Sequence, residues 1–254
     1  MALLEINNLS RSFGGLKAVN DVSFSVRSDS IKAVIGPNGA GKTTLFNLIS
    51  GNLAADNGTV IFKDMPIHGL HPFQVAGHGI SRTFQNIKLF PGMTALENVM
   101  IGRHVRTKAG FWAGMLNLPA SRREEKKIRQ KSLELLELLD IRQFAHIEAS
   151  SLAFGQQRAV EFARALASEP ELLLLDEPAA GLNIYETAEI ARLITKIQKR
   201  GITVLLVEHD MSLVMDISDE IVVLCFGEKI ADDLPAKIQQ NPQVIQIYLG
   251  DDDA

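Results

Sequence analysis

Apolar and polar positions alternate near the start of the chain, in Leu3-Leu4-Glu5-Ile6-Asn7-Asn8-Leu9 and Val22-Ser23-Phe24-Ser25-Val26, before the more continuous run Ile31-Lys32-Ala33-Val34-Ile35. With turn signals between them, these segments predict short β-strands. Gly58 to Asp64 predicts an edge or hairpin strand, and Ile80 to Asn86 a further strand ending around Gln85. From 94 to 146 the period changes to that of helices. Thr94 is placed as an N-cap with Glu97 three residues on, and leucines recur at helical spacing from Ser132 to Leu139. Within this region Gly110 to Pro119, around Trp112, is apolar but too short to cross a bilayer, and is expected to pack inside the helical region rather than touch a partner or a membrane surface. Two fully apolar runs follow, Leu172-Leu173-Leu174-Leu175 and Thr203-Val204-Leu205-Leu206-Val207, joined by a helical segment from Tyr185 to Arg200. Such runs are the mark of parallel strands covered on both faces, so the fold class is α/β.

What stands at the ends of these runs carries the chemistry. Ile31–Ile35 leads into Gly36-Pro37-Asn38-Gly39-Ala40-Gly41-Lys42-Thr43-Thr44 and then Leu45-Phe46-Asn47-Leu48-Ile49, the strand-loop-helix setting of a phosphate-binding loop. Its glycines let successive N–H groups turn toward an anion, and the helix that follows offers its positive end. Lys42 is a mobile charge for the outer phosphates, and the Thr43 hydroxyl suits Mg²⁺. The leucine run ends in Asp176-Glu177, and the next strand in Glu208-His209. Asp176 would hold Mg²⁺ directly or through water, Glu177 would polarise a water for in-line attack on a γ-phosphate, and His209 would either donate to that phosphate or orient Glu177. The carboxyl ends of parallel strands share one crevice, so these groups are expected to meet. Phe13 is expected on a loop between the first two strands, where it either stacks on an adenine or belongs to the core.

Composition narrows the class. The 254 residues are 46% hydrophobic, enough for one large α/β domain, and the formal charge of −4 argues against nucleic acid as a partner. Arg122, Arg123, Lys126, Lys127 and Lys131 alternate with glutamates and read as a solvated helix face. Cys225, the single cysteine, excludes an internal disulfide and is expected to be buried. The first residues show no basic region or cleavable apolar segment, and no run is long enough to span a bilayer, so a cytoplasmic protein is expected, with any membrane link made through a partner.

Taken together and in order, the phosphate loop, Gln85 after its strand, Leu152-Ala153-Phe154-Gly155-Gln156-Gln157-Arg158, Leu-Leu-Asp-Glu-Pro and His209 resemble the ATP-binding cassette (ABC) ATPases of membrane transporters. The resemblance covers nearly the whole chain. It implies a P-loop NTPase (RecA-like) core with an N-terminal antiparallel β subdomain and an inserted α-helical subdomain. Within one domain over 1–254, the core and β subdomain would take 1–86 and 158–228, the helical subdomain 87–157, and a tail 229–254. It further implies ATP and Mg²⁺ as cofactors, Phe13 stacking on adenine, and Gln85 sensing Mg²⁺ and the transmembrane partner. Ala153, Phe154, Gly155 and Gln156 would contact the γ-phosphate held by a second protomer, and Ala180-Gly181-Leu182-Asn183 would couple two sites in an ATP-dependent dimer.

Two positions depart from the family pattern, which usually reads Leu-Ser-Gly-Gly-Gln. Ala153 replaces the serine and Phe154 the first glycine, which removes a hydroxyl donor and leaves backbone N–H groups to bind the anion. Asn183 stands where aspartate is usual. Ser81 to Asn86, Leu89 to Thr94, the segment around Trp112 and Asn241 to Gly250 resemble the larger ATPase subunit of branched-chain amino acid importers. The expected partners are then a second ABC ATPase subunit, transmembrane permease subunits docking near Gln85 to Met100, and indirectly an external amino acid binding protein, with the protein peripheral on the inner face of the membrane. The alternatives are a related urea, amide or lipopolysaccharide system, an ABC ATPase outside transport, and a nucleotide-gated module without hydrolysis, against which Glu177 and His209 speak.

Overall fold

The computed structural model describes residues 2–103 and 119–249; the apolar segment around Trp112 and the acidic residues Asp251 to Asp253 lie outside the described residues. The chain opens with β1 (Ala2–Phe13) and β2 (Leu16–Arg27), each longer than the alternation predicts. Two successive polar residues, Asn7 and Asn8, break the alternation. The strand absorbs the break as a bulge between Ile6 and Leu9, with Asn8 at φ 49° and its side-chain amide donating to Asp21 at 2.8 Å. Phe13 is therefore the last residue of a strand rather than part of a loop.

Next come β3 (Ile31–Ile35), α1 (Lys42–Ile49), β4 (Asn57–Phe62), β5 (Met65–Pro66), α2 (Pro72–Gly77) and β6 (Ile80–Arg82). β4 makes a hairpin with β5 and pairs with β1 on its other side, so it is not an edge. β6 is shorter than predicted and leaves the sheet before Gln85, after the Thr83 N–H donates to the Leu174 carbonyl. The helical region holds α3 (Ala95–Gly102), α4 (Pro119–Leu138) and α5 (Phe154–Leu166). α3 starts at the predicted capping box. The Glu97 N–H donates to Thr94 Oγ1, and the Thr94 N–H to Glu97 Oε2 at 2.8 Å. Then follow β7 (Leu172–Asp176), α6 (Ile184–Gln198), β8 (Thr203–Val207), α7 (Met211–Ile217), β9 (Glu220–Cys225), β10 (Glu228–Asp233), α8 (Pro235–Gln240) and α9 (Pro242–Leu249).

These strands form two sheets, an antiparallel one in the order β2-β1-β4-β5 and a second in the order β10-β9-β3-β8-β7-β6, parallel except for β10. In the parallel sheet, Leu173, Leu175 and Leu206 point into a core shared with α3, α5 and α6, while Leu172, Leu174 and Leu205 point into the core under α1 and the antiparallel sheet. Both faces are covered, so every position of β3, β7 and β8 is buried and the sequence reads as nearly continuous apolar runs, broken in β3 by Lys32, whose buried ammonium pairs with Asp232 at 2.7 Å and Glu220 at 3.2 Å. Cys225 is buried at the end of β9, as expected. Tyr248 of α9 packs on the same core as α6, and burial pushes its phenol up to about 12. This topology sets the carboxyl ends of β3, β8, β7 and β6 side by side.

Candidate active site

The loop after β3 depends on close backbone approach. Gly36 sits at φ 149°, and a Cβ there would lie 2.1 Å from the Leu224 carbonyl oxygen. Gly41, at φ 100°, would place a Cβ 2.2 Å from the Ala18 carbonyl oxygen. Only glycine fits either position, because each is both left-handed and pressed against a backbone. The loop opens α1 without a side-chain cap or an acidic residue in the first turn, so the helix end keeps its positive character. A cavity of about 260 Å³ lies against Asn38 to Thr44, closed on other sides by Leu16, Glu177 and Phe226. Lys42 is buried and folds back, its Nζ donating to the carbonyls of Gly36 at 2.6 Å and Pro37 at 2.9 Å. Burial lowers its pKa, opposed by the charges of Glu177 and Asp176. Phe13 is half-exposed, with the Arg11 guanidinium over its ring, and it does not line this cavity.

Beside the loop, Asp176 ends β7 and Glu177 turns out of the strand at φ 47°, a conformation that a non-glycine residue holds only when its surroundings impose it. The Glu177 N–H donates to the Val207 carbonyl, and Glu177 Oε2 accepts from Gln85 Nε2 at 2.6 Å. Asp176 Oδ2 accepts from the Arg82 guanidinium at 2.7 Å. His209 Nδ1 stands 3.9 Å from Glu177 Oε2, beyond hydrogen-bonding distance, on an exposed ring. Gln85, Asp176, Glu177 and His209 thus meet at one edge with the phosphate loop.

The residues from Leu152 to Gln156 lie elsewhere. Ala153 is the N-cap of α5 and has no side chain able to cap it, although its own N–H donates to Gln156 Oε1 at 3.2 Å. Phe154 is 44% exposed, and Ala153, Gly155 and Gln156 line a separate cavity of about 340 Å³ with Tyr185 and Glu186 of α6. Within one chain this segment does not join the phosphate loop. Asn183 caps α6 through a complete capping box: its Oδ1 accepts from the N–H groups of Tyr185 and Glu186, and Glu186 Oε2 accepts from its N–H.

Three charged residues escaped the sequence reading. Arg82 grips Asp176. Glu208, fully buried, accepts from the N–H groups of Ala179 at 2.8 Å and His209 at 3.0 Å, clasping the turns after β7 and β8 together. Arg158, also fully buried, pairs with Glu161 at 2.8 Å and donates to the carbonyls of Phe84 and Gln85. Their signal was a charged residue inside or next to an otherwise apolar run, which is buried only if paired.

A family model described as ABC transporter matches residues 19–180, and a second, described as Branched-chain amino acid ATP-binding cassette transporter, matches residues 228–254. The first spans more than half the chain, from β2 through the turn after Asp176.

The chain belongs to the ABC transporter family.

Among curated relatives of this ABC ATPase, the high-affinity branched-chain amino acid transport ATP-binding protein BraF of Pseudomonas aeruginosa is 44% identical over 250 residues, 98% of each chain. The structure of the ADP conformation of MJ1267, an ATP-binding cassette of an ABC transporter, superposes with a TM-score of 0.85 at 33% identity, covering 98% of this chain and 99% of that one. A dimeric post-hydrolysis state of the ATP-binding cassette MJ0796, bound to ADP and Pi, matches with a TM-score of 0.75 at 25% identity, covering 91% and 98%. As an ABC ATPase the chain binds and hydrolyses ATP.

Among the described residues of the cassette, no group of three His, Cys, Asp or Glu side chains is placed to hold a metal alone. Mg²⁺ does not need one. It takes one or two hard oxygen ligands from protein and completes its shell with phosphates and water, so the Thr43 hydroxyl and the Asp176 carboxylate fit it.

Proposed function

We propose that this ABC ATPase is the motor subunit of an importer for branched-chain amino acids. The observation that carries the reading is the 44% identity to BraF over 98% of both chains, reinforced by the match of residues 228–254 to the branched-chain model. The protein would sit on the inner face of the membrane through permease subunits and pair with a second ATPase subunit, with an external binding protein supplying the cargo. The absence of any helix long and apolar enough to cross a membrane, among the described residues, is consistent with attachment through partners.

In this reading the loop from Gly36 to Thr44 binds the phosphates by its N–H groups, and Lys42 exchanges its two carbonyl acceptors for phosphate oxygens. Thr43 and Asp176 would hold Mg²⁺, which would supply charge neutralisation for phosphoryl transfer when bound. Glu177 orients the attacking water. In the free protein one of its oxygens is held by Gln85, so Gln85 must release it as the site fills. His209 approaches the γ-phosphate from the end of β8, and Phe13 serves the adenine. The segment Ala153 to Gln156 offers the N-terminus of α5 to nucleotide on a partner cassette, which agrees with its exposure and its distance from this chain's own loop.

The test is uptake of radiolabelled leucine, isoleucine and valine by cells lacking the gene. Loss of all three, restored by the wild-type protein and not by Lys42→Ala, is expected. Undiminished uptake of all three, with ATPase activity intact in the purified protein, would leave the enzyme standing and remove the cargo assignment.

A further inference from the structure

Arg82 occupies a place built for its shape. It ends β6, three residues before Gln85, with its side chain only 8% exposed. One terminal nitrogen donates to Asp176 Oδ2 at 2.7 Å; the other donates to Asn47 Oδ1 at 2.7 Å and Ser50 Oγ at 2.9 Å. The rings of Phe46 and Phe84 lie 5.6 and 5.5 Å from its guanidinium carbon. Asn47 is on α1 and Ser50 caps that helix, which begins at Lys42 and Thr43. A single planar side chain therefore spans from the helix that carries Thr43 to the strand that carries Asp176.

We infer that Arg82 is a positioning residue for Mg²⁺: it braces α1 against β7, fixes one oxygen of Asp176 and leaves the other as a metal donor at a set spacing from Thr43. The inference rests on the assignment of Thr43 and Asp176 to Mg²⁺ above. Two features of the contact argue for placement rather than simple charge balance. The guanidinium is anchored by two neutral acceptors and two aromatic faces, so it holds its orientation independently of Asp176. It also uses the fork geometry that lysine lacks. A hydrogen-bond partner that orients a metal-binding carboxylate is commonly worth about 10- to 100-fold in metal affinity.

Mn²⁺ replaces Mg²⁺ in the test, and its binding to the ADP-loaded protein is titrated by electron paramagnetic resonance, with ADP affinity in EDTA measured in parallel. Arg82→Met is expected to weaken Mn²⁺ binding about 10- to 100-fold while ADP binding in EDTA is unchanged, and Arg82→Lys is expected not to restore it. If Arg82→Met loses ADP binding in EDTA, Asn47→Ala carries the test, because it removes one anchor and keeps the ion pair; it should weaken Mn²⁺ binding to a smaller degree. Wild-type Mn²⁺ affinity in both Arg82 variants, tighter binding in Arg82→Met as expected of a competing cation, or an unaffected Asn47→Ala where it carries the test would each overturn the inference. Asp176→Asn separates the levels. If it too binds Mn²⁺ normally, the metal assignment itself has failed.

Discussion

Two regions of this cassette place backbone N–H groups at the start of a helix, and they are in opposite physical states. At the carboxyl edge of the parallel sheet, the chain satisfies itself: Lys42 donates to two loop carbonyls, Arg82 holds Asp176, Gln85 holds Glu177, and buried Glu208 ties the two turns together. At the start of α5 there is no such closure. Ala153 brings no cap, Phe154 is exposed, and the helix end faces a cavity of its own. In the first region the charged groups already stand beside the phosphate loop before nucleotide arrives, held by internal partners that Lys42 and Glu177 exchange for nucleotide and water. The second presents the amino end of α5 without a side-chain cap, and in the function proposed above it is the half-site that the nucleotide of a partner cassette completes.

Lys42→Ala strikes the organised region at its only loop cation and should reduce nucleotide binding and turnover to background; measurable hydrolysis in that variant would mean the loop does not hold the phosphates. Glu177→Gln should keep ATP binding and lower turnover by about 10²- to 10⁴-fold, the usual contribution of a positioned base, in a steady-state phosphate-release assay.

Arg158→Met should cost roughly 3–5 kcal/mol in urea denaturation, since it leaves Glu161 buried with only Arg164, 4.0 Å away, and the Phe84 N–H to offset its charge. The loss should vary with pH. Burial already raises the Glu161 pKa against the pull of Arg158, and removing Arg158 raises it further. The folded variant then keeps a proton that the unfolded chain releases above a pH of about 4.3, so the deficit should be smallest in acid and grow as pH rises. A pH-independent deficit would show that Arg164 and Phe84 alone keep Glu161 charged in the fold.

Ala153→Ser supplies the missing hydroxyl in the open region. It should strengthen ATP-driven association by about 0.5–1.5 kcal/mol, the usual worth of one hydrogen bond, with little change in the binding of ATP to the dilute protein. Sedimentation with and without ATP measures the first, and equilibrium dialysis the second. If neither association nor turnover moves, the alanine is not a weakened contact.

The sequence made one of these regions far more legible than the other interactions that support it. The phosphate loop, Asp176, Glu177 and His209 each follow a buried strand, and a strand's end can be read from local pattern, so their meeting at one edge followed from α/β topology alone. The α3 capping box was equally local. Arg82, Arg158 and Glu208 were harder to place for the opposite reason. A charge beside apolar residues signals a paired burial, and Glu161 lies one helical turn from Arg158, but the contacts that tie these residues to the site reach Asp176, the Gln85 carbonyl and the Ala179 N–H tens of residues away, which no periodicity encodes. The lengths of β1 and β2 were missed because bulges at Asn8 and its neighbours repair an alternation that looks broken in one dimension. Phe13 shows the same limit. It was expected on a loop and instead ends β1, while Leu16 and Phe226 line the cavity by way of turns whose approach to the loop is set by the fold.

Completion of the open half-site by another cassette is tested most directly by the specific ATPase activity as a function of protein concentration. Activity per molecule should fall steeply on dilution and recover when an ATP-binding but hydrolysis-impaired Glu177→Gln cassette is added in excess to supply the α5 surface. Full activity per molecule in a dilute protein that sediments as a monomer with ATP bound would contradict it.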